Sequence, residues 1–203
     1  LPSKTEIVEW VSLEGEERDL YETLRLAVEK KVRDELKRRG LMRSQIYILD
    51  ALLKLRQCCC HPQLVDLPRA KTIGSSGKLD RLMERLDAFV AAGRRVLVVS
   101  QFVSVIRLIE AELDERDYGY LTLTGRTRKR QQLVDRFQAG EAPIFLISLK
   151  AGGTGLNLTA ADVVIQGLAS RAFGNSIDWS ALVAGIPVLY FMMMLPSFGN
   201  FGT

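Results

Sequence analysis

Val96-Leu97-Val98-Val99 and Ile144-Phe145-Leu146-Ile147 are runs in which no polar residue interrupts the apolar ones. A strand that shows one face to water alternates apolar and polar side chains, so such runs belong to strands covered on both faces. At about 1.5–3 kcal/mol per fully buried large apolar side chain, four such residues favour a central place in a sheet. Between the runs, Val105, Ile106, Ile109 and Leu113 have helical spacing over about 103–116, and Tyr120-Leu121-Thr122-Leu123 reads as a strand. A further helix spans Thr127 to Phe137. Upstream, Leu79, Leu82, Met83, Leu86, Phe89 and Val90 form the apolar face of a helix that Gly93 ends. Strand alternating with helix at this spacing gives parallel βαβ units and predicts a three-layer α/β sandwich.

The first third of the chain has a different pattern. Residues 4–12 alternate loosely and suggest a strand. Leu20, Leu24, Val28, Val32 and Leu36 then recur every four residues, in a helix closed by Gly40 with Lys37, Arg38 and Arg39 in its last turn. A second helix from about Ser44 turns Ile46, Leu49, Leu52, Leu53 and Leu55 inward and stops before Pro62. Leu64 to Ser76, with Pro68, Gly74 and two serines, reads as a connector.

Composition narrows the class. With 47% hydrophobic and 26% charged residues the chain is neither disordered, collagen-like nor a disulfide scaffold. A net charge of +4 permits an anionic partner without demanding one. Cys58, Cys59 and Cys60 are consecutive and ill placed to bridge one another, which suits an intracellular, cytoplasmic protein. The polar stretch Leu1 to Glu6 is not expected to be a leader. Zinc is not expected at Cys58-Cys59-Cys60-His61, because four adjacent ligands cannot converge tetrahedrally. The last 38 residues hold one base, Arg171, and one acid, Asp178, so the whole net charge belongs to residues 1–165. Within that tail, Trp179 to Thr203 carries no charge and poses a choice between a membrane span and an αβ unit. Pro187 and Pro196 leave an uninterrupted apolar core shorter than the ~20 residues a span needs. The αβ reading is preferred, with Ser180–Ala184 helical, Gly185 as cap and Pro187–Phe191 as a strand; no membrane association is expected.

Two segments at strand ends carry chemistry. Lys150-Ala151-Gly152-Gly153-Thr154-Gly155-Leu156-Asn157-Leu158 follows the run at 144–147 directly. Parallel sheets bind ligands at the carboxyl ends of their strands. Three glycines in four positions let backbone approach a ligand, and successive N–H groups there can hold phosphate oxygens. A tight turn needing positive φ accounts for them equally well. The Gly-x-x-x-x-Gly-Lys-Ser/Thr spacing of an ATPase phosphate loop is absent, and Gly74-Ser75-Ser76-Gly77-Lys78-Leu79 is too short and follows no strand. The second segment is Thr124-Gly125-Arg126-Thr127-Arg128-Lys129-Arg130, opening a helix. Charge runs at helix starts are usually solvated. Here the cations oppose the macrodipole by a few tenths of a kcal/mol each, so another interaction should favour them.

Five motifs in register carry a resemblance. Arg56-Gln57-Cys58-Cys59-Cys60-His61-Pro62, Ser76-Gly77-Lys78-Leu79, Val98-Val99-Ser100-Gln101-Phe102, Leu123-Thr124-Gly125 with Arg130, and Ser148 through Leu158 resemble the Swi/Snf family of DNA-dependent ATPases in helicase superfamily two. The resemblance covers about residues 1–165 and is closest to bacterial members. It implies a RecA-like C-terminal motor lobe preceded by a helical linker region. Residues 1–72 would be the end of the first lobe and the linker, 73–165 the C-terminal lobe, and 166–203 an atypical apolar tail. It further implies double-stranded DNA as partner, contacted by Gln101, Gly125, Arg126, Arg128, Arg130, Ser148, Lys150, Gly152 and Gly153. Gly155 and Asn157 would line the nucleotide cleft. ATP and Mg2+ are implied only together with the first RecA-like lobe, supplied in cis or in trans, and a nucleoid-associated cytoplasmic location follows.

Departures from the family pattern limit this reading. The sequence holds no phosphate loop and no magnesium-binding acidic motif of a first lobe. After Val163-Val164-Ile165 the family would continue with His-Tyr-Asp, Trp-Trp-Asn-Pro and a helix whose arginines reach the γ-phosphate. Here Gln166-Gly167-Leu168-Ala169-Ser170-Arg171-Ala172-Phe173 follows instead, and Arg171 does not occupy the finger's motif. No catalytic residue is therefore expected, and a non-enzymatic adaptor with weak DNA affinity is the alternative. A small-molecule transferase on a doubly wound fold needs a strand-end acid beside a glycine-rich first turn, and neither strand end provides that pair.

Overall fold

Val96–Ser100 (β2) and Ile144–Ser148 (β4) are buried along their whole length and pair in parallel, Val96 opposite Ile144 and Ser100 opposite Ser148, in a computed structural model of the chain. The structure describes residues 5–152, 156, 158–167 and 189–194. Tyr120–Leu123 (β3) adds to one side of this pair and Val163–Gly167 (β5) to the other. Beyond β5 come Leu189–Met194 (β6) and, at the edge, Thr5–Trp10 (β1). The six parallel strands run in the order β1-β6-β5-β2-β4-β3.

Side chains alternate across the sheet, so each apolar run feeds two cores. Leu97, Val99, Leu121, Leu123, Phe145, Ile147 and Val164 join Val134 and Phe137 of a helix, α5 (Arg130–Gln138), in one buried cluster. At its centre Phe137 and Phe145 stack tilted, with ring centroids 5.2 Å apart. The intervening residues of β2 and β4 face the other way, and α4 (Val103–Glu115), which packs against both strands, buries Val105, Ile106, Ile109 and Leu113. Helix, sheet and helix make the three layers. The helix α3 (Gly77–Ala91) ends at Gly93, whose φ of 68° allows the Arg94 N–H to donate to the Phe89 carbonyl (2.9 Å). Just beyond, the Arg95 N–H donates to Asp162 Oδ2 (2.8 Å), and the Arg95 carbonyl accepts from Asp162 and Val163, which pins the starts of β2 and β5.

The chain separates into two compact units, residues 12–80, and residues 1–11 with 81–203. β1 pairs with β6 and so belongs to the sheet unit. Its Glu9, 14% exposed, accepts two hydrogen bonds from Arg85 (both 3.0 Å) and is also paired with Arg81. Burial pushes the Glu9 carboxyl up, but the two guanidinium groups outweigh it and hold the group below its usual 4.5.

The helical unit centres on α1 (Gly15–Cys60), two helical segments broken at Gly40. Gly40 has φ 74° and ψ 172°, a conformation essentially reserved for glycine. Leu20, Tyr21, Leu24 and Ala51 are buried, but Ile46, Leu49 and Leu53 are exposed, against the inward orientation that periodicity suggests. Periodicity identifies a helix face without saying what covers it, and among the described residues of this unit nothing covers theirs. The connector folds more than expected, with a 3₁₀ turn at Pro62–Leu64 and a short helix, α2 (Pro68–Thr72). His61 ends α1 through its N–H to the Gln57 carbonyl (3.0 Å) and opens the turn through Nδ1, which accepts from the Gln63 N–H (3.2 Å). Cys58, Cys59 and Cys60 are buried thiols, with burial raising Cys58 and Cys59 to about 12 and Cys60 to about 11. No described helix is long and apolar enough to cross a membrane. The helix expected at Ser180–Ala184 lies outside the described residues.

Phe145→Ala should destabilise the sheet unit by about 3–5 kcal/mol in urea unfolding, the usual cost of emptying a packed aromatic site. Glu9→Gln should cost about 1 kcal/mol at neutral pH. Because the folded carboxyl titrates below its unfolded value, its contribution is present above about pH 4.5 and fades as pH falls further. Melting curves of the two proteins should therefore converge in acid.

Candidate nucleic-acid interface

Parallel register brings the strand ends to one edge. Ser100 lies opposite Ser148, Leu123 opposite Ile147, and Val99 opposite Gln166. Thr124 therefore stands level with Ser148, and Gly167 level with Ser100. Gln101, Gly125 and Lys150 leave this row within two residues of it. Residues drawn from three separate motifs thus share one rim.

Local hydrogen bonds shape each exit from the sheet. At β2, the Ser100 hydroxyl donates to the Phe102 carbonyl and accepts from the Phe102 N–H, both at 3.2 Å. This closed turn leads into α4 and leaves Gln101 half-buried. At β3, the Thr127 N–H donates to the Thr124 carbonyl (3.0 Å), while the Thr124 N–H donates to the Thr127 hydroxyl (3.0 Å). The Arg126 N–H adds a longer contact to Thr124 Oγ1 (3.4 Å). Two threonines spaced three apart thereby lock the turn that presents Gly125 and Arg126 to solvent.

This lock corrects one expectation. Helix α5 begins at Arg130 rather than Thr127, since the Thr127 hydroxyl serves the turn. Arg126 and Arg128 precede the helix, Lys129 is its cap, and only Arg130 stands in the first turn. The opposition of charge to macrodipole therefore applies to Arg130 alone, which is half-buried.

At β4 the chain continues into a single helical turn, α6 (Leu149–Gly152), rather than a glycine-bent loop. Ala151 and Gly152 are buried, Lys150 is exposed, and Leu149 and Leu156 pack on the core cluster. Helical geometry here lets Ala151 enter the core while Lys150 points out. The Ser148 hydroxyl is buried and has no hydrogen-bond partner among the described residues. Gly153, Gly155 and Asn157 lie outside the described residues.

Charge at the rim is left available. Arg126, Arg128, Lys129 and Lys150 are exposed and enter no ion pair among the described residues. Elsewhere on the same unit Arg116 pairs with Asp87 (3.0 Å), Arg136 with Glu141, and Arg81 and Arg85 with Glu9, whereas Arg94 and Arg107 are exposed singly without an ion pair among the described residues. Sequence reasoning found the cations but missed the structural roles of Ser100 and Thr127 and the buried Gln166 at the end of β5. The Thr-x-x-Thr spacing was the available signal.

The phosphate-loop-like stretch at 74–79 has another role. The Gly77 N–H donates to Glu17 (3.0 Å), and Lys78 is 6% exposed, with burial pulling its ammonium below the usual value. An amide already bound to a carboxylate and a lysine buried beside it are unsuited to a nucleotide phosphate. Among the described residues, no three of His, Cys, Asp and Glu converge on a point where a metal could sit.

Comparison with known proteins gives the same frame. Residues 77–178 match the helicase conserved C-terminal domain, running past Ile165 into the tail. The chain is 36% identical over 82% of its length to a putative ATP-dependent helicase/translocase, YwqA, of Bacillus subtilis, and spans 18% of that protein. It is 34% identical over 81% of its length to the mouse SWI/SNF-related matrix-associated actin-dependent regulator of chromatin subfamily A member 1, spanning 16% of it. Among solved structures, the Sulfolobus solfataricus SWI2/SNF2 ATPase C-terminal domain superposes with a TM-score of 0.72 at 25% identity, over 98% of this chain and 81% of that one. A RecA-like parallel sheet, five motifs in register and a matched domain covering half the chain lead to one conclusion: the chain belongs to the helicase conserved C-terminal domain family, as a Swi/Snf-like motor lobe.

Proposed function

We propose that this lobe is the second half of an ATP-driven DNA translocase and grips duplex DNA by its phosphate backbone at the carboxyl rim of the sheet. One observation supports it most: exposed, unpaired cations gather where the strand ends 100, 124 and 148 share a row. Arg126, Arg128 and Arg130 would meet phosphates from the turn and first residues of α5, and Lys150 from the turn after β4. Gln101, Gly125 and Gly153 would give neutral contacts through side-chain and backbone groups, while Ser148 and Gly152, expected from sequence to join them, are buried and would support the turn from beneath. Gly155 and Asn157 would face the nucleotide cleft. The relatives' descriptions as a helicase/translocase and a chromatin regulator agree with this reading.

Backbone contacts carry no sequence information, so binding by this rim is sequence-independent and steeply salt-dependent. ATP and Mg2+ enter only with a first RecA-like lobe, in cis or in trans. The chain's own share is to hold the track and to relay the nucleotide state through the segment after β4.

The triple variant Arg126→Gln, Arg128→Gln, Lys150→Gln should weaken duplex binding about equally for unrelated sequences. The slope of log affinity against log salt should fall in magnitude by about 3, one per lost contact. An unchanged slope in a fluorescence anisotropy titration would show those charges to be merely solvated. The chain alone should show no ATPase activity, and DNA-stimulated hydrolysis should appear on mixing with a separately made first lobe. If it does not, the adaptor reading gains.

A further inference from the structure

We infer that the tip of the helical unit, where α1 breaks at Gly40, is a second duplex-contacting surface, separate from the rim of the sheet. Residues 30–43 contain seven lysines and arginines against only Asp34 and Glu35, a net +5. The formal charge of the whole chain is +4, so everything outside these residues sums to −1. All seven cations are exposed. Local pairing absorbs part of the charge: Arg33 pairs with Glu29, and Arg38 and Arg39 both reach Glu35 at 2.9 Å. Lys30, Lys37 and Arg43 enter no ion pair among the described residues.

Helix electrostatics explains only some of them. Lys37, Arg38 and Arg39 precede the break, where positive charge complements the C-terminal end of a helix. Lys30 and Lys31 stand more than a turn further back, and Arg43 lies in the first turn of the next segment, where a cation is opposed. The chain folds back at Gly40 so that Lys31 and Arg39 both lie over the Tyr47 ring, at 5.9 and 5.4 Å from its centroid. This contact draws cations from before the break against the segment after it. A compact, exposed concentration of positive charge fits a polyanion with closely spaced charges, and duplex DNA carries one per about 1.7 Å of axis.

The choice of duplex as polyanion rests on the proposed DNA role of the lobe, so the test treats rim and tip independently in the full chain. Lys30→Gln, Lys37→Gln, Arg43→Gln should weaken duplex binding roughly tenfold at low salt and lower the slope by about 3, with little sequence preference. The charge-retaining set Lys30→Arg, Lys37→Arg, Arg43→Lys should bind as the parent does. A control set, Arg18→Gln, Arg94→Gln, Arg107→Gln, should change the slope less; an equal change overturns the assignment, since the effect would then be one of net charge. Loss of binding in the rim variant with none in the tip variant overturns the tip and leaves the rim standing, and the converse result does the opposite. If the tip variant keeps its duplex affinity but loses binding to a polyglutamate peptide, the surface takes an acidic protein segment and the DNA assignment fails. Should the triple variant lose its far-UV circular dichroism, the single Lys37→Gln, expected to lower the slope by about 1, decides instead.

Discussion

Backbone pairing between β2 and β4 is the constraint on which the other features rest. Both strands are buried on two faces, so their peptide groups have no water to turn to and must bond across the sheet. Which pairing results is set by the side chains on each face, Phe145 and Ile147 against Val134 and Phe137 on one and the residues facing α4 on the other. Register in turn decides that Ser100 and Ser148 end together, and hence that loops from distant parts of the sequence open on a common edge. The positions of Arg126 and Lys150 are thus consequences of core packing, one or two residues removed.

Much of this was legible in the amino-acid order because the relevant signals are local. Unbroken apolar runs marked β2 and β4, and Gly93 marked the end of α3 through the positive φ it adopts. Five short motifs identified the family, since their order and spacing together are far more restrictive than any one of them. The cations at 126–130 were also visible, but not how they are held. The alternation of strands and helices predicts a helix from Thr127. That start is overridden by a hydroxyl that bonds back to Thr124, an interaction that composition does not reveal.

What escaped sequence reasoning depended on long-range partners. The outward orientation of Ile46, Leu49 and Leu53 follows from which elements cover α1. The glycine-rich segment after β4 suggested either a phosphate-holding backbone or a tight turn of positive φ, whereas core packing by Ala151 and Leu149 favours a helical turn at its start. Glu17 and Gly77 are separated by most of α1 and meet only when the helical unit forms, so the occupied amide at Gly77 could not be anticipated.

The strand order bears on how the molecule assembles. Among the described residues β1 has no neighbour except β6, and Thr5 pairs with Leu189. Closing so long a loop is entropically costly, although the penalty rises only about 0.6 kcal/mol with each doubling of its length. Topologies dominated by such distant pairings form slowly. β1 must therefore wait for a partner that lies far along the sequence, at Leu189–Met194, and stays unmatched on that side until the segment has been made.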